Sequence, residues 1–379
     1  MKEGWSYKKL GEVCEILNGF AFKSNIYAPK GIRVIRITNV QKGFIEDTEP
    51  KFYPFDSIDE LNRYLLKSQD LLISLTGNVG RVALLAENML PAYLNQRVGC
   101  IRVKNEKELS ISYLYHLLNS NEFEKNCIQS AHGAAQKNMS TVWLANYKIP
   151  IPPLQEQHSI VSRLDSAFSH IDALKANAEK QLNEARKLFQ AELTECMKPK
   201  EGWEEKTLPK LSENLDSIRK PVTKKDRTEG IYPYYGASGI VDYVDNYLFD
   251  EDLLCISEDG ANLLMRTYPI AFPISGKAWV NNHAHVLRFK CMSTQRYVEY
   301  YFAGLKLDEY ITGAAQPKLT QKALNSIIIS IPSSLAEQSS IVSHLNSLSS
   351  TIRKLEELQQ KTIAECDALK QAMLREVFE

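Results

Sequence analysis

Few residues in this sequence have the types and spacing that catalysis requires. Glu204, Glu205 and Lys206 form half of an acid–x–lysine nuclease signature, but among 46 acidic residues such a triplet is expected by chance. His283 and His285 alternate along a predicted strand and could share one face, as metal ligands do, yet no third ligand follows at a familiar spacing. The sequence also lacks the glycine-rich loops of nucleotide-binding proteins, the HExxH motif and the NPPY-type motif of amino-methyltransferases. The residues therefore do not indicate an enzyme.

Polar side chains that suit recognition are more frequent than catalytic ones. Side chains that donate and accept hydrogen bonds in defined directions, on loops that rigid strands hold in place, suit recognition of a ligand. In the first half of the chain the candidates are Arg36, Thr38, Asn39, Gln41, Lys42, Thr76, Asn78, Arg81, Asn95, Gln96 and Arg97. In the second half they are Lys224, Lys225, Arg227, Tyr234, Tyr235, Ser238, Lys277, Asn281 and Asn282. Five basic residues between Arg219 and Arg227 also predict a loop that grips phosphate groups.

Composition limits the class of protein. The 379 residues are 44% hydrophobic and 24% charged, which is typical of a soluble protein with two or three domains. The 46 basic and 46 acidic side chains cancel, so DNA binding would have to use local clusters and partners that neutralise phosphates. The seven cysteines form no CxxC pair, and no apolar run is long enough to span a membrane. We therefore expect a cytoplasmic protein with reduced cysteines and no membrane partner.

The sequence contains a long internal repeat. The string KEGW at 2–5 recurs at 200–203, GAAQ at 133–136 recurs at 313–316, and IVS at 160–162 recurs at 341–343. The ends of the two repeats match, while the middle of the second is about 18 residues shorter, because the offset falls from 198 to 180. The sequence therefore indicates two copies of one structural unit, with similar ends and different middle segments.

The globular part of the repeat reads as mixed α/β structure. Short apolar runs separated by turn residues predict strands, and one amphipathic stretch predicts a short helix. The predicted strands are 32–38, 71–75, 82–85, 98–103 and 147–152, and the predicted helix is 112–118.

Each repeat ends in a much longer helical pattern. From 160 to 193 apolar residues recur every three or four positions, without a glycine or proline before Pro199, and the same pattern runs from 341 to 377. Each stripe predicts a helix of about 43 residues, or about 65 Å. Two stripes of equal length predict an antiparallel coiled coil with Leu174 and Leu355 in its seam. The expected fold is α+β, with domains at 1–152 and 199–332 and helices at 153–198 and 333–379.

The frame of the repeat resembles the specificity subunit of type I restriction-modification systems. The resemblance covers essentially the whole chain and rests on the GWxxxxL, GAAQ and I-x-I-P strings, on PPLQEQ at 152–157 and on YPYYGASG at 232–239. It implies two target-recognition domains that each read one half of a bipartite DNA sequence. The polar loop residues named above are then the candidates for reading its bases. It also implies that the two helices form the spacer and that methylation and cleavage belong to separate subunits.

The predicted partners follow from that resemblance. They are double-stranded DNA, two modification subunits that use S-adenosylmethionine, and the restriction subunits of the full complex. The chain itself is expected to bind no cofactor and no metal. Two alternatives remain open: a self-contained DNA methyltransferase or nuclease with unrecognised motifs, and a coiled-coil scaffold whose domains bind proteins.

Overall fold

The computed structural model describes residues 4–133, 137–313 and 316–378. Parts of the repeated KEGW and GAAQ strings, including Gln136, lie outside the described residues. The chain divides into two compact units, one of Met1–Ala178 with Lys361–Glu379 and one of Glu179–Gln360. Each unit combines a mixed α/β domain with parts of both long helices. No helix in the described ranges is long and apolar enough to cross a membrane, and all seven cysteines are free thiols.

The first unit alternates short strands and short helices before the first long helix. In chain order these elements are β1 (Ser6–Lys9), α1 (Leu10–Val13), β2 (Cys14–Asn18), β3 (Ile32–Ile35), β4 (Phe52–Tyr53), α2 (Ile58–Leu61), β5 (Leu71–Ser74), β6 (Val82–Leu84), β7 (Ala92–Leu94), β8 (Val98–Val103), α3 (Ile111–Leu118), α4 (Asn121–Ser130), α5 (Thr141–Asn146), β9 (Lys148–Ile151) and the long α6 (Leu154–Cys196).

The core of this unit lies on both faces of a four-stranded antiparallel sheet with the order β2-β8-β5-β6. Strand β5 is buried along its whole length, which explains its continuous apolar sequence. Leu71 and Ile73 face a cluster with the helices, whereas Leu72 faces a second cluster. A smaller sheet places β3 between the antiparallel β4 and the parallel β7.

The elements of the second unit have a similar order, with a short strand in place of α2, one added short helix, and one helix fewer before the last strand. They are β10 (Trp203–Thr207), α7 (Leu208–Leu211), β11 (Ser212–Asn214), β12 (Glu229–Gly236), β13 (Gly239–Val244), β14 (Phe249–Asp250), β15 (Leu253–Ser257), α8 (Asn262–Met265), β16 (Ala271–Ile274), β17 (Lys277–Val280), β18 (Ala284–Phe289), α9 (Met292–Gly304), α10 (Gln321–Ser326), β19 (Ile328–Pro332) and the long α11 (Leu335–Phe378).

The two domains share their strand pairing, so the sequence repeat is also a structural repeat. The sheet β11-β18-β15-β16 corresponds to β2-β8-β5-β6. Strand β12 pairs antiparallel with β13 and parallel with β17, as β3 does with β4 and β7. In each domain the first strand pairs antiparallel with the last, β1 with β9 and β10 with β19.

The repeated EGW and EQ strings make the same closing contact in each unit. The indole Nε1 of Trp5 donates to Glu156 Oε1 at 2.9 Å, and that of Trp203 donates to Glu337 Oε1 at 3.0 Å. Trp5 immediately precedes β1, and Trp203 is the first residue of β10. Each glutamate lies in the first turn of the long helix that follows its domain. The repeated residues therefore join the start of each domain to the start of the long helix that follows it.

The glutamine after each of these glutamates is buried and fully engaged. Gln157 Nε2 donates to the carbonyl of Pro152 at 2.9 Å, and Gln338 Nε2 donates to that of Pro332 at 2.7 Å. Both glutamines are at most 5% exposed. A buried amide is tolerated only when its hydrogen bonds are satisfied, so these bonds fix where each long helix starts.

The two long helices pair in antiparallel directions in each unit. In the first unit, the Lys175 ammonium lies 2.8 Å from Asp367, and Lys370 bonds to Asp172. In the second unit, Arg186 lies 2.7 Å from Glu356. Residue numbers rise along one helix as they fall along the other, which confirms the predicted fold class of two mixed α/β domains with two long antiparallel helices.

The seam of this helix pair differs from the predicted stripe. Ile171, Ala178 and Ala185, which are seven residues apart, are buried, whereas the side chain of Leu174 is 58% exposed. Leu355 is only half-buried. The prediction that Leu174 lies in the seam was wrong, because after Ile171 the seam continues four residues on rather than three.

We expect Ile171→Lys to destabilise the first unit by about 3 kcal/mol or more, because it buries an unpaired charge. Leu174→Lys is the matched control, and it should shift stability by less than about 0.5 kcal/mol because its side chain meets solvent. Urea unfolding followed by circular dichroism measures both. Equal effects of the two substitutions would contradict this assignment of the seam.

Candidate nucleic-acid interface

Three loops of the first unit meet at the end of β5. The amide of Leu75 donates to the carbonyl of Arg97 at 3.0 Å, and that of Gly77 donates to Lys137 at 2.9 Å. The amide of Met139 returns to Leu75 at 2.8 Å. We call the loops 76–78, 95–97 and 137–139 the β5 edge. The structure thus brings together two of the predicted reading loops and the segment 137–139, which follows GAAQ.

The second unit builds the same arrangement at the end of β15. The amide of Glu258 donates to His283 at 2.9 Å, that of Gly260 to Pro317 at 3.0 Å, and that of Leu319 back to Glu258 at 2.7 Å. We call the loops 258–260, 281–283 and 317–319 the β15 edge. The backbone bonds of the two edges correspond one to one, while their side chains differ.

A glycine in a left-handed conformation forms the turn in each edge. Gly77 has φ of 71° and Gly260 has φ of 106°, a region that other residues rarely adopt. An added Cβ would meet no atom within 4 Å at either position, so the requirement is conformational rather than steric.

The predicted reading residues fall into three groups by exposure. Exposed side chains, which are free to approach a ligand, belong to Thr38, Asn78, Gln96, Arg97, Lys224, Lys225, Ser238, Lys277 and Asn282. Half-buried side chains belong to Arg36, Gln41, Lys42, Arg81, Asn95, Arg227 and Tyr235. Asn78, Gln96 and Arg97 lie on the β5 edge, and Asn282 lies on the β15 edge. Ser238 lies in the β12–β13 turn, which adjoins the β15 edge through the bond from the Asn281 amide to the Tyr235 carbonyl.

Four predicted residues are buried and need correction. Asn39, Thr76, Tyr234 and Asn281 are between 1% and 9% exposed, so in this structure their side chains do not reach a DNA surface. Asn39 Nδ2 donates to the Glu46 carbonyl at 2.7 Å. The other three likewise bond within their own domain. These side chains hold the loops in shape through internal hydrogen bonds. The sequence alone does not distinguish such residues from polar residues that contact a ligand.

Several half-buried cations already have protein partners. Lys42 lies 2.7 Å from Glu124. Arg227 lies 2.8 Å from Asp242, with its guanidinium over the ring of Tyr234. Ion pairs that remain in contact with solvent contribute little stability, so a phosphate group could replace the carboxylate at small cost.

The predicted phosphate-gripping loop is smaller than its sequence suggests. Arg219 is nearly buried and donates to Glu258 Oε2 at 2.6 Å, so it is not available to a phosphate. Lys220, Lys224 and Lys225 remain exposed. The exposed lysines form the usable part of this cluster.

Arg219 belongs to a buried charge network beneath the β15 edge. Asp216 receives the Nδ1 hydrogen bond of His285 at 2.6 Å and lies 3.2 Å from Arg219. Glu258 binds Arg219 on one side and the Lys318 ammonium, at 3.0 Å, on the other. The network ties together the strand, the basic loop and the segment that follows GAAQ. Sequence reasoning missed Glu258.

This network does not form the metal site that the two histidines suggested. His283 pairs with Asp259 at 2.9 Å and His285 with Asp216, so the two rings have separate partners. The donor atoms of Asp216, Glu258 and His285 do lie within 4.8 Å of one another. Two protein cations, those of Arg219 and Lys318, already neutralise these carboxylates, which leaves little attraction for a metal ion.

Hydrogen bonds and nearby charges set the pKa values of the two carboxylates in this network. His285 bonds through both ring nitrogens, to Asp216 through Nδ1 and to the Leu319 carbonyl at 2.8 Å through Nε2. Burial is the largest single influence on the pKa of Asp216 and raises it, but the bond and charge of His285, the bond from the Val286 amide and the charge of Arg219 together lower that pKa below its ordinary value. Burial likewise raises the pKa of Glu258, and the bonds from Arg219 and Lys318 together with the charges of His285 and Arg219 outweigh it.

These lowered pKa values predict acid sensitivity of the second unit. Each carboxylate stabilises the fold above its unfolded pKa of about 4, and this stabilisation is lost as the pH falls through the folded pKa. We expect Asp216→Asn to cost about 3 kcal/mol at pH 7 and to flatten the loss of stability below about pH 4. The matched control is Glu309→Gln, which alters an exposed carboxylate of the same unit. Urea unfolding at several pH values measures both, and an unchanged acid slope in Asp216→Asn would contradict the prediction.

The fold defines a protein of two similar α/β domains, each with a loop edge of the same backbone pattern and each followed by a long helix. A family model described as the type I restriction modification DNA specificity domain matches residues 2–184 and again residues 200–364. This chain therefore belongs to the type I restriction-modification DNA specificity family.

Individual relatives agree with that membership. The MjaVIII specificity subunit of Methanocaldococcus jannaschii is 33% identical over 189 residues, which cover 49% of this chain and 44% of the relative. The EcoAI specificity subunit of Escherichia coli is 32% identical over 180 residues, which cover 46% of this chain and 30% of the relative. The chain thus spans less than half the length of these curated relatives.

Two solved structures share the fold. A chain from a structural study of assembly and conformational transition in the type I R-M system is 18% identical, with a TM-score of 0.77, and the match covers 100% of this chain and 98% of that one. The HsdS subunit from Thermoanaerobacter tengcongensis is 19% identical, with a TM-score of 0.55, and the match covers 100% of this chain and 97% of that one.

Proposed function

We propose that this chain is the DNA sequence-specificity subunit of a type I restriction-modification complex, in which each domain reads one half of a bipartite site. The observation that carries the proposal is the duplicated loop edge. Two platforms with the same backbone bonds and different side chains suit two related targets that differ in detail. The family match to both halves supports the same assignment.

The exposed predicted side chains supply the chemistry of reading. Asn78, Gln96 and Arg97 on the β5 edge, and Asn282 on the β15 edge, offer the amide and guanidinium groups that bind base edges in pairs of hydrogen bonds. Lys224 and Lys225 carry no base information and are assigned to phosphate groups.

The long helices are assigned to spacing and assembly. Their outward faces expose leucines such as Leu174, Leu188 and Leu358, each 58% exposed, a pattern that suits contact with partner helices. We assign these faces to two modification subunits, which carry the S-adenosylmethionine, with restriction subunits completing the complex. The chain itself is then a non-catalytic component that binds no cofactor and acts in the cytoplasm.

Neutralising two lysines tests the phosphate assignment. Lys224→Gln with Lys225→Gln should weaken DNA binding by the assembled complex to all sequences and reduce the salt slope by about 2, since each phosphate contact contributes about 0.9. The matched control is Lys210→Gln with Lys290→Gln. It removes two exposed lysines that flank the start of β11 and the end of β18, which pair with each other. Equal slopes for the two double variants would contradict the assignment.

Domain exchange tests the two-reader proposal. Replacing residues 17–130 with the matching part of a related protein should change one half of the recognised site, because closure through β1 and β9 is retained. The corresponding exchange of residues 215–319, which keeps Lys318 with Glu258, should change the other half. Sequencing of methylated sites, in a host that lacks this gene and carries each variant, gives the answer. A change of both halves by either exchange would rule out separate readers.

A further inference from the structure

Three side chains with different metal-binding atoms meet between the long helices of the second unit. Glu192 and Cys196 are four residues apart at the end of α6, so they share one face of that helix. His344 of α11 places its Nε2 atom 2.8 Å from Glu192 Oε1, and Cys196 Sγ lies 3.7 Å from the same oxygen. All three donor atoms lie within 4.8 Å of one another.

We propose that Glu192, Cys196 and His344 bind a zinc ion that links the two helices. Zinc takes oxygen, sulfur and nitrogen donors at about 2.0–2.3 Å, so neighbouring ligand atoms in a tetrahedral site are about 3.3–3.7 Å apart. The observed separations of 2.8 Å and 3.7 Å, with the third within 4.8 Å, lie near this range, so metal binding requires a small movement of the side chains. A water molecule would supply the fourth ligand. The thiol and the imidazole make the site unsuitable for magnesium or calcium, which prefer oxygen ligands.

The surroundings of these residues leave the donors available. Among the ion pairs of the described residues, Glu192 faces His344 alone, while the nearby Lys198 is paired with Glu195. This differs from the Asp216 network, where protein cations occupy the carboxylates. The Glu192 and His344 side chains are 38% and 55% exposed, so an ion can enter from solvent.

The first unit shows that helix packing does not require these residues. At the offset of 181 that relates the two long helices, Glu192 and Cys196 correspond to Met373 and Val377 of the first unit. Both counterparts pack against the apolar core of their unit. The second unit thus has two metal-binding side chains where the first unit has apolar ones, and it has His344 opposite them.

Zinc binding would depend on pH in a defined direction. Zinc binds cysteine as the thiolate, so the Cys196 thiol must lose its proton on binding. The metal must displace that proton, so its affinity should fall as the pH is lowered. Because only the folded helix pair presents all three ligands, binding should also raise the melting temperature of the chain.

Metal titration of the full chain tests the proposal. After treatment with a chelator, titration with zinc chloride should show one equivalent bound. Cys196→Ser and His344→Ala should each weaken binding at least about tenfold. Cys291→Ser, which alters a partly exposed thiol elsewhere in the same unit, should bind zinc as the parent does. With cobalt(II) in place of zinc, the parent should show a thiolate-to-cobalt charge-transfer band that Cys196→Ser lacks.

Two results would overturn the proposal. One is a parent chain without saturable binding at one equivalent and without the charge-transfer band, a result that needs no variant to fold. The other is a Cys196→Ser chain that binds zinc as tightly as the parent. In either case the three residues form only a hydrogen-bonded contact between the helices.

Discussion

Each domain depends on the return of its last strand to its first. The pairs β1–β9 and β10–β19 bring the two ends of a domain together, and the tryptophan–glutamate bond carries that closure into the long helix. The buried glutamine beside it would leave an unsatisfied amide if the helix began elsewhere, at a cost of about 1–3 kcal/mol. Closure uses only residues of the repeated frame. The loops between the ends are therefore free to differ.

The two loop edges show how far that freedom extends. Their backbone hydrogen bonds are the same, but the side chains that support the two edges interact in different ways. In the first domain, Leu75 packs beside Gly99, where an added Cβ would lie 3.3 Å from the leucine. By the register of the strands, the corresponding residues of the second domain are Glu258 and His285, which belong to the buried charge network. One edge is thus supported by apolar packing and the other by ion pairs.

The parts of the fold that sequence could predict are those with local causes. The strand at 98–103 and the long helices follow from apolar runs and helical periodicity, and the structure confirms them. Strand β1 has a polar, mostly exposed sequence, and only its pairing with β9 makes it a strand. The site was harder to predict. Tyr234 and Arg219 have the chemistry of DNA contacts, but tertiary packing buries them, and no local pattern records that burial.

The buried charge network also determines what can be moved between such proteins. Glu258 is stable only where Arg219 and Lys318 neutralise it, and His285 only where Asp216 receives its hydrogen bond. These five residues come from four separate segments of the sequence. A loop transplanted with Glu258 alone would bury an uncompensated carboxylate in its new host. In the second unit these five residues must therefore be exchanged together. Segments that look independent in sequence can be moved between related proteins only in blocks that keep all five partners.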